Sequence, residues 1–179
     1  MKAQIAFLLI SLSLISCKND KSVDDLKVVE TKIEKSKVTL ELDMIVPEDD
    51  TFQIYYTEDG LPNCTEENSV KAEVKGSSTS QKILFEIPED KAINYIRIDI
   101  GRNPKQGELK VNRFVYTYFD KKLDLKGNAF FQYYSPNQFF TLDFPNSTLI
   151  PSKDKKDYDP ILYALEPLSP ALEKMLTKK

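Results

Sequence analysis

The stretch Val38-Thr39-Leu40-Glu41-Leu42-Asp43-Met44-Ile45-Val46 decides the fold. Apolar side chains at 38, 40, 42, 44 and 46 alternate with polar ones at 39, 41 and 43, and only Ile45 breaks the polar series. An extended chain turns successive side chains to opposite faces. The pattern therefore predicts a strand with one face on a core and the other in water.

Reading outward, the same period of two recurs. Pro47-Glu48-Asp49-Asp50 is a turn, and Phe52, Ile54 and Tyr56 then point inward against Gln53, Tyr55 and Thr57. Glu58 to Asn63 is a loop whose Asp59-Gly60 pair permits positive φ. Val70 to Lys75 reads as a short strand ending at Gly76, and Ser77 to Ser80 as a polar turn. Ile83, Phe85 and Ile87 form a third inward set, stopped by Pro88. Ile96, Ile98 and Ile100 form a fourth, with Arg97 and Asp99 together on the opposite face, before the turn at Gly101-Arg102-Asn103-Pro104. Leu109 and Val111 open a fifth set, but the apolar positions then move to Phe114, Tyr116 and Tyr118. Such a change of register near Asn112-Arg113 predicts a β-bulge. Phe130 to Phe144 is aromatic and irregular, and Ile161 to Leu165 is a last strand. Ser169 at an N-cap and Pro170 after it predict a helix through Leu176. Many short strands at roughly ten-residue spacing predict an all-β, antiparallel, jelly-roll-like β-sandwich with a short C-terminal helix, filling 37–179.

The first 36 residues have a different character. Met1-Lys2 is positive, Ala3 to Leu14 is apolar and uncharged, and Cys17 is followed by Lys18-Asn19-Asp20-Lys21. A charged start, a short apolar run and a small residue before a cut are the parts of a secretory signal. The run is shorter than the roughly 20 apolar residues that a membrane span needs. Leu14-Ile15-Ser16-Cys17 resembles a bacterial lipobox. The resemblance implies a signal peptide at 1–16, cleavage before Cys17, and lipidation of Cys17 by diacylglycerol and palmitate-type chains. Residues 17–36, polar apart from Val23, Leu26, Val28, Val29 and Ile33, form a tether that ends in a short edge strand. In lipoproteins of this type aspartate after the cysteine directs retention in the inner membrane. Lys18 there implies the outer membrane instead, on its periplasmic or its surface face.

Composition narrows the function. The net charge is -3 and the lysines are scattered, so no basic stripe offers itself to nucleic acid. The chain has no histidine, which removes the usual base of serine and cysteine hydrolases and the commonest transition-metal ligand. Cys64 is the only cysteine besides Cys17 and reads as an incidental thiol. No glycine-rich phosphate loop is present, and no cofactor is expected. The acidic turns Glu48-Asp49-Asp50 and Glu58-Asp59 lack the spacing of a calcium loop and read as solvated turns, so no metal site is expected.

From Phe52 to Asn112 the chain shows Phe52-Gln53-Ile54-Tyr55-Tyr56-Thr57, then Glu67-Asn68-Ser69-Val70, Ile96-Arg97-Ile98-Asp99-Ile100-Gly101 and Leu109-Lys110-Val111. This resembles the small β-sandwich modules of bacterial cell-envelope polysaccharide proteins, with Lys105-Gln106-Gly107 inserted at a turn that is usually tighter. The resemblance implies a carbohydrate-binding type of sandwich. Arg97 and Asp99 would then grip sugar hydroxyls, or else serve structure, Arg97 on backbone carbonyls and Asp99 as the cap of the 101–104 turn. Tyr116 and Tyr118, two apart on one strand, would offer rings for a sugar to stack on. The expected function is that of a non-catalytic, membrane-anchored envelope lipoprotein whose partner is envelope polysaccharide. The alternatives are a carboxylate-dependent glycan-processing enzyme and a structural lipoprotein that binds another envelope protein.

Overall fold

The computed structural model describes residues 37–153 and 156–177. Cys17, the signal segment 1–16 and the tether 17–36 lie outside the described residues. The described chain is all-β: two antiparallel sheets and one short C-terminal helix.

The first sheet is built on β1 (Val38–Val46). It runs in the order β4 (Ser77–Glu86), β1, β6 (Leu109–Tyr118), β10 (Thr148–Pro151), β9 (Phe140–Asp143), and β7 (Lys121–Lys126) also pairs with β6. The second sheet runs β3 (Ser69–Val74), β2 (Asp50–Thr57), β5 (Tyr95–Asp99), β11 (Ile161–Ala164), β8 (Tyr134–Pro136). The chain crosses between the sheets repeatedly. The sequence neighbours β3/β4, β1/β2, β5/β6, β10/β11 and β8/β9 hold matching places in the two orders. Each hydrophobic face thereby meets another hydrophobic face, the arrangement that makes a sandwich stable.

Alternation accounts for the core. Val38, Leu40, Leu42, Met44 and Val46 are fully buried, as are Phe52, Ile54, Phe85, Ile87, Ile96 and Ile98. Each such side chain contributes about 1.5–3 kcal/mol when taken out of water. Asp43 pairs with Arg113 while Met44 pairs with Val111, so Asn112 is the extra residue of a bulge in β6. The bulge carries the inward set from Val111 to Phe114 and Tyr116, as the apolar register requires.

Two local expectations are corrected. Ser77 to Ser80 are not a turn but the first residues of β4, because the chain reverses more tightly, at Lys75-Gly76. A Cβ on Gly76 would sit 2.5 Å from the Pro47 carbonyl oxygen, so only glycine fits there. The helix α1 spans Leu168–Leu176 and begins before Ser169, with Pro167 at the N-cap and no side-chain cap. Ser169 Oγ instead donates to Asn94 Oδ1 at 3.2 Å. Leu168, Leu172 and Met175 are the helix's buried side. Lys121 Nζ donates to the Met175 carbonyl at its C-terminal end, where a cation offsets the helix dipole.

Candidate functional site

The outer face of the second sheet differs from an ordinary wet face. Register places Tyr55 opposite Arg97 and Gln53 opposite Asp99 across β2 and β5. Ile161 stands opposite Asp99 on the other side, from β11. Alternation then puts Tyr95, Arg97 and Asp99, Gln53 and Tyr55, and Ile161 and Tyr163 on one outward surface.

Arg97 and Asp99 are brought together. Arg97 donates from Nε to Asp99 Oδ1 and from Nη2 to Asp99 Oδ2, both at 2.8 Å. This is the two-pronged geometry that a guanidinium and a carboxylate share. The arginine also lies over the Tyr55 ring, its Cζ 4.2 Å from the centroid, in a cation–π contact. Tyr55 Oη donates to Glu66 Oε1 at 2.6 Å, and Gln53 Nε2 donates to Glu66 Oε2 at 3.0 Å and to Ser69 Oγ at 2.8 Å. One network thus runs from Asp99 through Arg97, Tyr55 and Glu66 to β3. It pins the 3-10 turn Glu66–Asn68 over the sheet.

Burial sets the electrostatics. It pushes the Asp99 carboxyl above its ordinary value, with the hydrogen bonds and charge of Arg97 pulling it back. Desolvation acts to lower Arg97, but the Asp99 hydrogen bonds and charge outweigh it and hold the guanidinium above its ordinary value. Tyr55 is pushed up to about 12, first by burial and then by its hydrogen bond to Glu66. Cys64, half-buried nearby, has its thiol pushed up by burial, with Arg97 acting against the shift. A raised thiol is a poor nucleophile at neutral pH.

Beside the network is a groove of about 330 Å³ lined by Asp50, Thr51, Gln53, Tyr55, Glu66, Lys71, Asp99, Gly101 and Arg102. Asp50 forms one wall and is spoken for. Its Oδ1 accepts from the amides of Thr51 and Arg102 at 2.9 Å, and its Oδ2 from the Asn103 amide at 3.2 Å and Gln106 Nε2 at 3.3 Å. The cap of the 101–104 turn is therefore Asp50, not Asp99. Gly101, at φ +85°, makes room for it: a Cβ there would lie 2.1 Å from the Asp50 carboxyl carbon. Likewise Arg97 is satisfied by a carboxylate and a ring rather than by backbone carbonyls.

Tyr116 and Tyr118 do not join this site. They lie on the inward side of β6, in the other sheet, and Tyr116 is fully buried. Burial pushes its hydroxyl far above the ordinary tyrosine value. The bulge at Asn112 turns Phe114, Tyr116 and Tyr118 inward together, so the expected stacking pair is corrected to core packing. On the outward surface of the second sheet the exposed ring is Tyr163, at 45 %. Alternation within Ile161–Leu165 carries the signal for it, since Ile161, Tyr163 and Leu165 share one face. Tyr95, which lies close by, has its hydroxyl pushed up first by burial, with Cys64 and Tyr163 adding to the shift.

Among the described residues, no group of three or more Cys, Asp or Glu side chains is placed to hold a metal ion. No family model, curated protein or solved structure matches the chain.

Proposed function

We propose that this chain is a lipid-anchored, non-catalytic envelope lipoprotein that binds glycan with the outer face of its second sheet. The observation that carries the binding half is the exposed Tyr163 ring on the same surface as the fixed Arg97–Asp99 pair. A sugar ring needs a flat apolar surface for its C–H face and rigid polar groups for its hydroxyls. That surface supplies both, and Gln53 and Asp99 add acceptors in the groove beside it. A preset network also lowers the ordering cost of binding. The anchoring half rests on Leu14-Ile15-Ser16-Cys17 and the apolar run before it. Two or three acyl chains hold a protein stably, at about 0.8 kcal/mol per buried CH2.

Two experiments test the halves separately. Metabolic labelling with radioactive palmitate is expected to mark the wild-type chain and leave Cys17→Ser unlabelled; equal labelling of both would remove the anchor. A glycan array probed with the detergent-solubilised chain is expected to show binding that Tyr163→Ala weakens about tenfold. An array with no signal for any envelope polysaccharide would sink the binding half.

A further inference from the structure

We infer that the ligand of this face is a neutral, hydroxyl-rich glycan and not an acidic one. The inference rests on the binding reading above and gives it a chemical class.

The groove lining carries the carboxylates of Asp50, Glu66 and Asp99 against the cations of Lys71 and Arg102. Each cation already faces a carboxylate. Lys71 Nζ lies 3.5 Å from Glu66 Oε2, and Arg102 Nε lies 2.9 Å from Asp159 Oδ1. Arg97, the remaining cation of the face, is held by both Asp99 oxygens. A uronate or sulfated sugar entering here would find no cation without a carboxylate partner and would meet three carboxylates. Like charges at close range disfavour such a ligand.

The acceptors point the same way. A carboxylate offers about four lone-pair positions. Arg97 takes two of those on Asp99, one on each oxygen, and Asp99 is among the residues that line the groove. The Gln53 side chain donates through Nε2 within the network, and its amide oxygen is a further acceptor on the same face. A sugar hydroxyl is the donor that such groups suit, because it brings a proton and no charge. Thr51 Oγ1, which donates to Glu73, is left as an acceptor of the same kind.

The test uses the full chain in detergent, with affinity electrophoresis through gels containing mannan or dextran as neutral probes and alginate or hyaluronan as acidic ones. The neutral probes are expected to retard the protein equally at low salt and at about 0.5 M salt, where surface charges are screened. Asp99→Asn is expected to weaken that retardation about tenfold, the size of a lost charge-assisted hydrogen bond. Arg113→Gln, on the outer face of the first sheet, is expected to leave it unchanged. Retardation by the acidic probes alone, lost at high salt and in Lys71→Gln or Arg102→Gln, would overturn the neutral class while leaving glycan binding in place. No retardation by any probe would overturn both.

Discussion

Each sheet carries on its outer surface an arginine bonded through both prongs to an aspartate, yet the two pairs stand in different surroundings. On the first sheet Arg113 meets Asp124 at 2.7 and 2.5 Å across β6 and β7, with side chains 40 % and 34 % exposed. On the second sheet Arg97 meets Asp99 at 2.8 Å, 23 % and 13 % exposed, with the guanidinium over the Tyr55 ring. The hydrogen bonds and charge of Arg113 hold Asp124 below its ordinary value, while burial pushes Asp99 above its own. The same chemical pair is thus a surface decoration in one place and a half-buried fixture in the other. Water decides the difference. An exposed pair is screened and adds little, whereas a desolvated carboxylate depends on its partner.

The rest of each face agrees with its pair. Around Arg113 lie Lys82 bonded to Glu41, and a cluster of Asp43, Ser80 and Asn112, all polar groups at home in water. Around Arg97 lie Tyr55, Tyr95, Tyr163 and the pinned turn Glu66–Asn68. Preorganised aromatic and polar groups are what a binding surface needs. A solvated ladder of charges needs no partner.

Gly101→Ala is expected to do the most damage. It strains a φ of +85° and drives a methyl into the Asp50 carboxylate, so the groove wall and the cap of the 101–104 turn fail together. A loss of about 3 kcal/mol is expected in urea denaturation, from backbone strain and broken hydrogen bonds combined. Next is Arg97→Ala, which leaves Asp99 covered and without its partner. It is expected to cost about 2–3 kcal/mol, below the range for fully buried pairs because Asp99 keeps some contact with water. Arg113→Ala, its counterpart, is expected to leave the denaturation midpoint nearly where it was. Equal losses from the two arginine variants would erase the contrast between the faces.

A smaller effect separates the two pairs by pH. Because Asp99 binds its proton more tightly folded than unfolded, its contribution to stability falls as pH rises from its ordinary value, 3.8, through its raised folded value. Asp124 runs the other way. Its contribution is complete above 3.8 and is lost as pH falls through its lowered folded value. Carbon-detected NMR titration of the carboxyl groups is expected to place Asp99 above 3.8 and Asp124 below it. The reverse order would contradict the role given to burial.

The same contrast explains what the sequence reveals. Strands β1, β2, β5 and β6, and the bulge at Asn112, are legible because long runs of alternation have one buried face. Arg97 and Asp99 are legible as neighbours for the same reason. The C-terminal strands β8, β9 and β10 span only three or four residues each, too short to establish a period, and β7 shows just Leu123 and Leu125. The stacking of Arg97 on Tyr55 depends on which residues of β2 and β5 face each other, a register set by distant turns. The capping by Asp50 joins residues more than fifty positions apart, beyond the reach of local pattern. Tyr116 misleads because a tyrosine in a fully inward set reads equally as rim or core, and here the core claims it.

If binding belongs to one face only, a large side chain removed from the other face should not matter. Calorimetric titration of one bound glycan into the wild type, Tyr163→Ala and Leu84→Ala decides this. Tyr163 and Leu84 are exposed to similar degrees, on the second and first sheets respectively. Tyr163→Ala is predicted to weaken binding about tenfold, the worth of one aromatic contact, while Leu84→Ala binds as the wild type does. Equal binding by all three proteins, or a loss in Leu84→Ala alone, would contradict a single binding face.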